Sequence, residues 1–218
     1  MFDTHVNLHG DVFADDLDDV LDRARTSGVR RFLAICDRFD NFEAVYAIAA
    51  GETGLDFHYG YSPEDAQVES LRKHIEAARQ TSLPLILHTR EADDMMGDVL
   101  EDEFRNGAFQ PLLHCYTGGA RLAHRGLALG AYVSVSGILS FKSASAVRDV
   151  IADVPMDRII LETDCPFLAP MPMRGRRNEP AYLVHVAEAL ASLKGLAVDE
   201  VKRVTEANAR RLFAKVDA

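Results

Sequence analysis

Along the 218 residues, short apolar runs alternate with longer stretches whose apolar positions recur at helical spacing. In chain order the runs are Met1–Val6, Arg31–Cys36, Tyr46–Leu55, Leu83–His88, Gln110–Cys115, Ala131–Ser136 and Arg158–Leu161, of which the third is the least regular. All are of strand length, so the pattern predicts about seven strands with helices between most of them. Ser62-Pro63-Glu64-Asp65 reads as a helix start, with a capping serine, proline at the first position and acids in the first turn. That helix should run to about Thr81. Asn178-Glu179-Pro180 opens another, which Gly195 closes, and a last helix covers about Val198 to Phe213. Strands alternating with helices imply a parallel sheet covered by helices. No low-complexity linker or internal repeat divides the chain, so residues 1–218 are expected to form one domain.

Composition narrows the class. A hydrophobic content of 48% in 218 residues is enough for a sizeable core. No apolar run approaches the roughly 20 residues of a membrane helix. The opening MFDTHVN lacks the basic and apolar regions of a signal peptide. The expectation is a cytoplasmic protein with no membrane partner. Cys36, Cys115 and Cys165 each follow or interrupt an apolar run and read as free thiols in a reducing compartment. His114 and Cys115 are strand neighbours facing opposite ways, which argues against a nucleophilic pair. The formal net charge of −10 argues against a general nucleic-acid coat, since phosphate binding is driven by Lys and Arg. It leaves room for an enzyme that holds a few phosphates locally while metal ions offset their charge.

The chemistry lies where the runs end. The first ends Asp3-Thr4-His5-Val6-Asn7 and the third Gly51-Glu52-Thr53-Gly54-Leu55-Asp56. Later ones end in His88-Thr89-Arg90, His114-Cys115-Tyr116 and Glu162-Thr163-Asp164-Cys165-Pro166. In parallel α/β folds function sits at the C-terminal edge of the sheet. His5, Glu52, His88, His114 and Asp164 would converge there from five strands. Each alone has an ordinary explanation: a packed histidine, a helix cap or a buried ion-pair partner. Together, imidazole and carboxylate are a ligand set for zinc, manganese or related ions.

The segments DTHVNL, GETGLD, LPLILHTREA, LLHCYTGG, VSVSGILSFK, RIILETDCPFLAP and RGRRNEPAY resemble, in order, the motif series of the TatD family of metal-dependent deoxyribonucleases, within the amidohydrolase-like TIM-barrel hydrolases. The resemblance runs from residue 1 to about 213. It implies a barrel of parallel strands, up to two divalent ions (Mg, Mn or Zn) and cleavage of DNA phosphodiester bonds, exonuclease-like. Carried over by position, Glu52 bridges the ions, His5 and Asp164 serve one, and His88 and His114 the other. Asp164 also accepts a proton from the attacking water. Arg174 and Arg176 would lie near substrate phosphates, and His58 near the substrate. Where the family has His-x-His, this chain has His5-Val6-Asn7. Asn7 offers only a neutral oxygen, a weaker ligand for zinc.

The family's third strand, ending in a Gly-x-His-Pro-His-like segment, and the helix after it have no counterpart. A TIM barrel typically needs about 250 residues. The barrel is therefore expected to be short by one strand–helix unit. It would either close with seven strands or gape beside the second strand, around residues 40–50. Two other readings remain open: a superfamily hydrolase of a small ester, lactone or amide, and a non-catalytic remnant with residual metal binding.

Overall fold

The computed structural model describes residues 1–8, 11–35 and 52–214; the side chain of Glu52 lies outside that description. The strands are β1 (Phe2–Val6), β2 (Arg31–Ala34), β3 (Glu52–Asp56), β4 (Pro84–Arg90), β5 (Gln110–Leu113), β6 (Tyr132–Val135) and β7 (Ile159–Leu161). The helices are α1 (Leu17–Thr26), α2 (Glu64–Thr81), α3 (Asp93–Arg105), α4 (Ala120–Ala128), α5 (Ser145–Asp153), α6 (Leu183–Lys194) and α7 (Val198–Leu212). Among the described residues no single helix is long and apolar enough to cross a membrane.

Every ladder is parallel. β3 to β7 form one sheet in chain order, and β1 pairs with β2. The two pieces join where β1 meets the segment after β7. Val6 bridges Cys165, the Asn7 amide donates to the Cys165 carbonyl at 3.0 Å, and the Asp164 amide donates to the His5 carbonyl at 3.1 Å. Among the described residues the spatial order is therefore β2-β1-β7-β6-β5-β4-β3, a TIM-type arrangement of seven strands. β2 and β3 share no ladder among the described residues; the expected closure or opening around residues 40–50 falls outside the described residues. Residues 36–51, with Cys36 and the start of the Tyr46–Leu55 run, lie outside the described residues.

Strand alternation separates two cores. Phe2, Leu33, Ile35, Ile86, Leu112, Tyr132 and Ile160 fill the barrel interior, and Ala209, Leu212 and Phe213 from the end of α7 close it below. Their strand neighbours, among them Leu85, Leu87, Leu113, Val133, Ile159 and Leu161, face outward against the helices. Each such side chain contributes about 1.5–3 kcal/mol on burial. Alternation also fixes what stands above the interior layer. Two residues past Ile86, Leu112, Tyr132 and Ile160 come His88, His114, Ser134 and Glu162. The polar ring of the barrel follows from the period of the strand.

Two helix starts differ in detail from expectation. Pro63 is the capping residue of α2, not its first helical residue, because the first helical bond runs from the Gln67 amide to the Pro63 carbonyl at 3.1 Å. Asn178, fully buried, does more than open a helix. Its amide donates to the Thr163 and Phe167 carbonyls at 2.9 and 2.5 Å, tying the segment after β7 together. Pro180–Tyr182 forms a 3-10 turn before α6, and Gly195 closes α6 at φ +65°.

Candidate metal centre

His5, Asn7, His88, His114 and Asp164 line one cavity of about 600 Å³ at the C-terminal edge of the strands. The His5 ring stacks on His114, with centroids 3.8 Å apart and planes 18° from parallel, and the His88 ring lies 6.3 Å from His114. His5 Nε2 is 3.6 Å from Asp164 Oδ1. Ligand atoms of His5, His114 and Glu162 lie within 4.8 Å of one another, as do those of His114, Cys115 and Asp164.

Burial and partners set the protonation of these groups. Burial, reinforced by His114 and His88, holds His5 well below the usual histidine range, so its ring is neutral and carries a lone pair. His88 Nε2 meets Asp56 Oδ2 at 3.0 Å, an arrangement that orients the ring and leaves Nδ1 for a second partner. Burial works against ionisation of Asp56. Hydrogen bonds from His88 and from the Tyr59 and His58 amides outweigh it and hold the carboxyl below its usual range.

Asp56 and Glu162 are the site residues that strand-end reading missed. Residues 52–56 of the GETGLD segment are themselves β3, so Asp56 ends the strand and Glu52 begins it, in register with Ile86. Glu162 shares the parity of Ile160 and is fully buried. Ser134 Oγ donates to its Oε2 at 2.7 Å. Its Oε1 accepts no hydrogen bond, although His114 Nδ1 lies only 3.0 Å away. A fully buried carboxylate oxygen without a hydrogen bond calls for a cation. That oxygen, neutral His5 and the convergence of three imidazoles fit a divalent ion. Strand parity alone would have pointed to Glu162, because it faces inward directly above an interior isoleucine.

The remaining candidates stand further out. Arg174 and Arg176 are exposed and do not line the cavity, and the Arg174 guanidinium rests 3.9 Å from the centre of the Phe141 ring. The cation in the cavity wall is Arg90. His58 is also outside the wall, where its Nδ1 meets Glu91 at 2.6 Å. Cys115 and Asp164, both in the wall, hold positive φ of +41° and +59°. Such backbone costs a non-glycine residue about 1–2 kcal/mol, and it collects at functional sites.

Three comparisons bear on this arrangement. A family model described as TatD related DNase matches residues 37–214. The chain is 33% identical to the uncharacterized metal-dependent hydrolase YabD of Bacillus subtilis, over 98% of each chain. It is 31% identical to the 3'-5' ssDNA/RNA exonuclease TatD of Erwinia amylovora, over 98% of this chain and 99% of the relative. The alignment to YabD extends over 252 positions against 218 residues here, an excess of the size of one strand–helix unit. A crystal structure of a TatD family hydrolase from Entamoeba histolytica superposes with a TM-score of 0.86 at 18% identity, over 98% of this chain and 97% of that one. It shares the fold.

Proposed function

The chain belongs to the TatD family of metal-dependent hydrolases, and from that premise we propose that it hydrolyses phosphodiester bonds of nucleic acid with metal-activated water. The observation that carries this reading is the meeting of His5, His88, His114 and Asp164, from four strands, around one cavity, with a carboxylate oxygen of buried Glu162 within 4.8 Å of the His5 and His114 ligand atoms. His5, His114, Asp164 and Glu162 would hold one ion; His88, through the nitrogen turned away from Asp56, would serve a second, to which the family resemblance alone also assigns Glu52. Bound there, divalent ions supply Lewis acidity and lower the pKa of water.

The protein's own groups do the rest. Asp164 stands beside His5 at the cavity wall, with its side chain only 15% exposed, and accepts the proton of the attacking water. Asp56 keeps His88 oriented. Arg90 supplies positive charge for a substrate phosphate; Arg174 and Arg176 would meet the strand only farther from the cleaved bond. The name of the Erwinia relative supports a nucleic-acid substrate. The same centre would also serve a small ester, which the acidic net charge favours.

Metal content of protein purified without chelator, followed by hydrolysis of oligonucleotides beside a panel of small esters, tests the reading. The metal-loaded protein is expected to cleave oligonucleotides. Asp164→Asn should lower the rate by roughly 10²–10⁴-fold with the melting temperature nearly unchanged. Ester hydrolysis without nucleic-acid cleavage would replace the phosphodiesterase reading, and a metal-free, inert protein would leave the remnant reading.

A further inference from the structure

We propose that Ser134 is a positioning residue of the metal centre: its hydroxyl, pinned by the Cys115 amide, holds one oxygen of Glu162 and so directs the other toward the histidines. The inference rests on the metal-centre reading above, and it concerns a residue that acts through a ligand without being one. Ser134 is the β6 member of the polar ring that otherwise consists of His88, His114 and Glu162. β6 lies between β5, which His114 follows, and β7, which Glu162 follows. A neutral hydroxyl is not among the usual ligands of zinc, so the place of Ser134 between two ligand-bearing strands gives it a different task. Ser134 and Glu162 are both fully buried.

The direction of its hydrogen bonds follows from its partners. A serine hydroxyl has one proton to give and two lone pairs. The Cys115 amide donates to Ser134 Oγ at 2.9 Å. A backbone N–H can only donate, so this contact takes a lone pair and leaves the hydroxyl proton for another acceptor. Glu162 Oε2 is that acceptor, at 2.7 Å. The chain of bonds therefore runs one way, from the backbone after β5 to the carboxylate after β7. The Tyr116 amide also donates to the Ser134 carbonyl, at 3.1 Å. The turn that carries His114 out of β5, with Cys115 at φ +41°, thus hangs on Ser134 by two bonds.

The consequence falls on the other carboxylate oxygen. Glu162 Oε1 accepts no hydrogen bond and stands 3.0 Å from His114 Nδ1. The last torsion of a glutamate is broad and roughly two-fold, so a carboxylate held by nothing spreads over many rotations. Because the group is planar, a hold on Oε2 fixes where Oε1 points. A ligand oriented before the ion arrives loses less freedom when it binds, which is how outer partners raise metal affinity. One hydroxyl thereby keeps the β5 turn and the β7 carboxylate in a constant relation.

The test uses the full chain stripped of metal by chelator, with the ions alone as probes. Zn²⁺ affinity is read by competition with a chromophoric chelator, and coordination geometry from the visible absorption of bound Co²⁺. Ser134→Ala should weaken Zn²⁺ binding roughly 10- to 100-fold and alter the Co²⁺ bands. Ser134→Thr, which keeps the hydroxyl, should restore both. In a Glu162→Gln background the carboxylate is already gone, and Ser134→Ala should change the affinity little further. If Ser134→Ala does not fold, the isosteric pair Ser134→Thr and Ser134→Val makes the same comparison, with the valine variant the weaker binder. Unchanged affinity and bands in Ser134→Ala, an equal loss with and without the Glu162 carboxylate, or valine binding as tightly as threonine overturns the inference. A parent chain that takes up neither ion overturns the metal-centre reading itself, which keeps the two failures distinguishable.

Discussion

Asp3 shows how one buried group couples the first strand to the last. Burial raises its carboxyl to about 8, against the opposing pull of the Thr163 hydroxyl and amide, which donate to it at 2.6 and 2.9 Å. The folded state therefore keeps a proton that the unfolded chain releases above the usual carboxylate pKa near 3.8. Stability from this group is fully present below that value and declines as pH rises toward 8, by up to about 1.4 kcal/mol per unit. Urea midpoints between pH 5 and 8 should fall accordingly, and Asp3→Asn, which keeps both contacts without a titrating proton, should flatten the curve. An equal slope in both proteins would show that Asp3 stays ionised. Asn7 is the other telling residue. It lines the cavity with His5, where the family pattern carries an imidazole. Asn7→His is expected to raise metal content per chain and hydrolysis together, read by elemental analysis and nuclease rate side by side. No gain in either would show that position 7 does not limit the site.

At the scale of elements, period-two alternation made β4, β5, β6 and β7 legible to within two residues, because each runs from an outward hydrophobic to an inward one and then to a polar end. β3 was less so. Its glycines and acids interrupt the apolar pattern, and the start of the run it was assigned to lies outside the described residues. The reason for one of those glycines is local. Gly54 sits in register with His88, and a Cβ there would come within 1.9 Å of the His88 carbonyl oxygen. Gly54→Ala must push β3 and β4 apart, at a cost of about 1–3 kcal/mol or more. Metal uptake should fall along with the unfolding midpoint, since His88 moves with its carbonyl. A variant that melts and loads metal as the parent does would contradict the close approach. Four of the five described ligands (His5, His88, His114, Asp164) were readable from strand ends, whereas Glu162 was legible only through its parity with Ile160 and the orienting Asp56 needed the register to be known.

For the whole molecule, the sequence carried the family and the missing strand–helix unit, because ordered motifs and chain length survive without coordinates. It did not reveal that the arginines after β7 stand outside the cavity wall while Arg90 lines it, since loop course is set by contacts such as Arg174 on Phe141 and Arg177 with Asp16. The floor of the barrel has a consequence for how the protein is made. Phe2 of β1 packs against Phe213, with ring centroids 6.1 Å apart, and β1 is flanked by β2 on one side and by the segment after β7 on the other. A ribosome adding about 5–20 residues per second needs roughly 10–40 s to get from the first of these phenylalanines to the second. Throughout that interval β1 has a vacant flank and a hydrophobic end without its cover. The nascent chain thus passes through a long phase in which its first strand lacks its partners, and the cavity, which draws His5 from that strand and Asp164 from the segment after β7, needs both ends of this span in place.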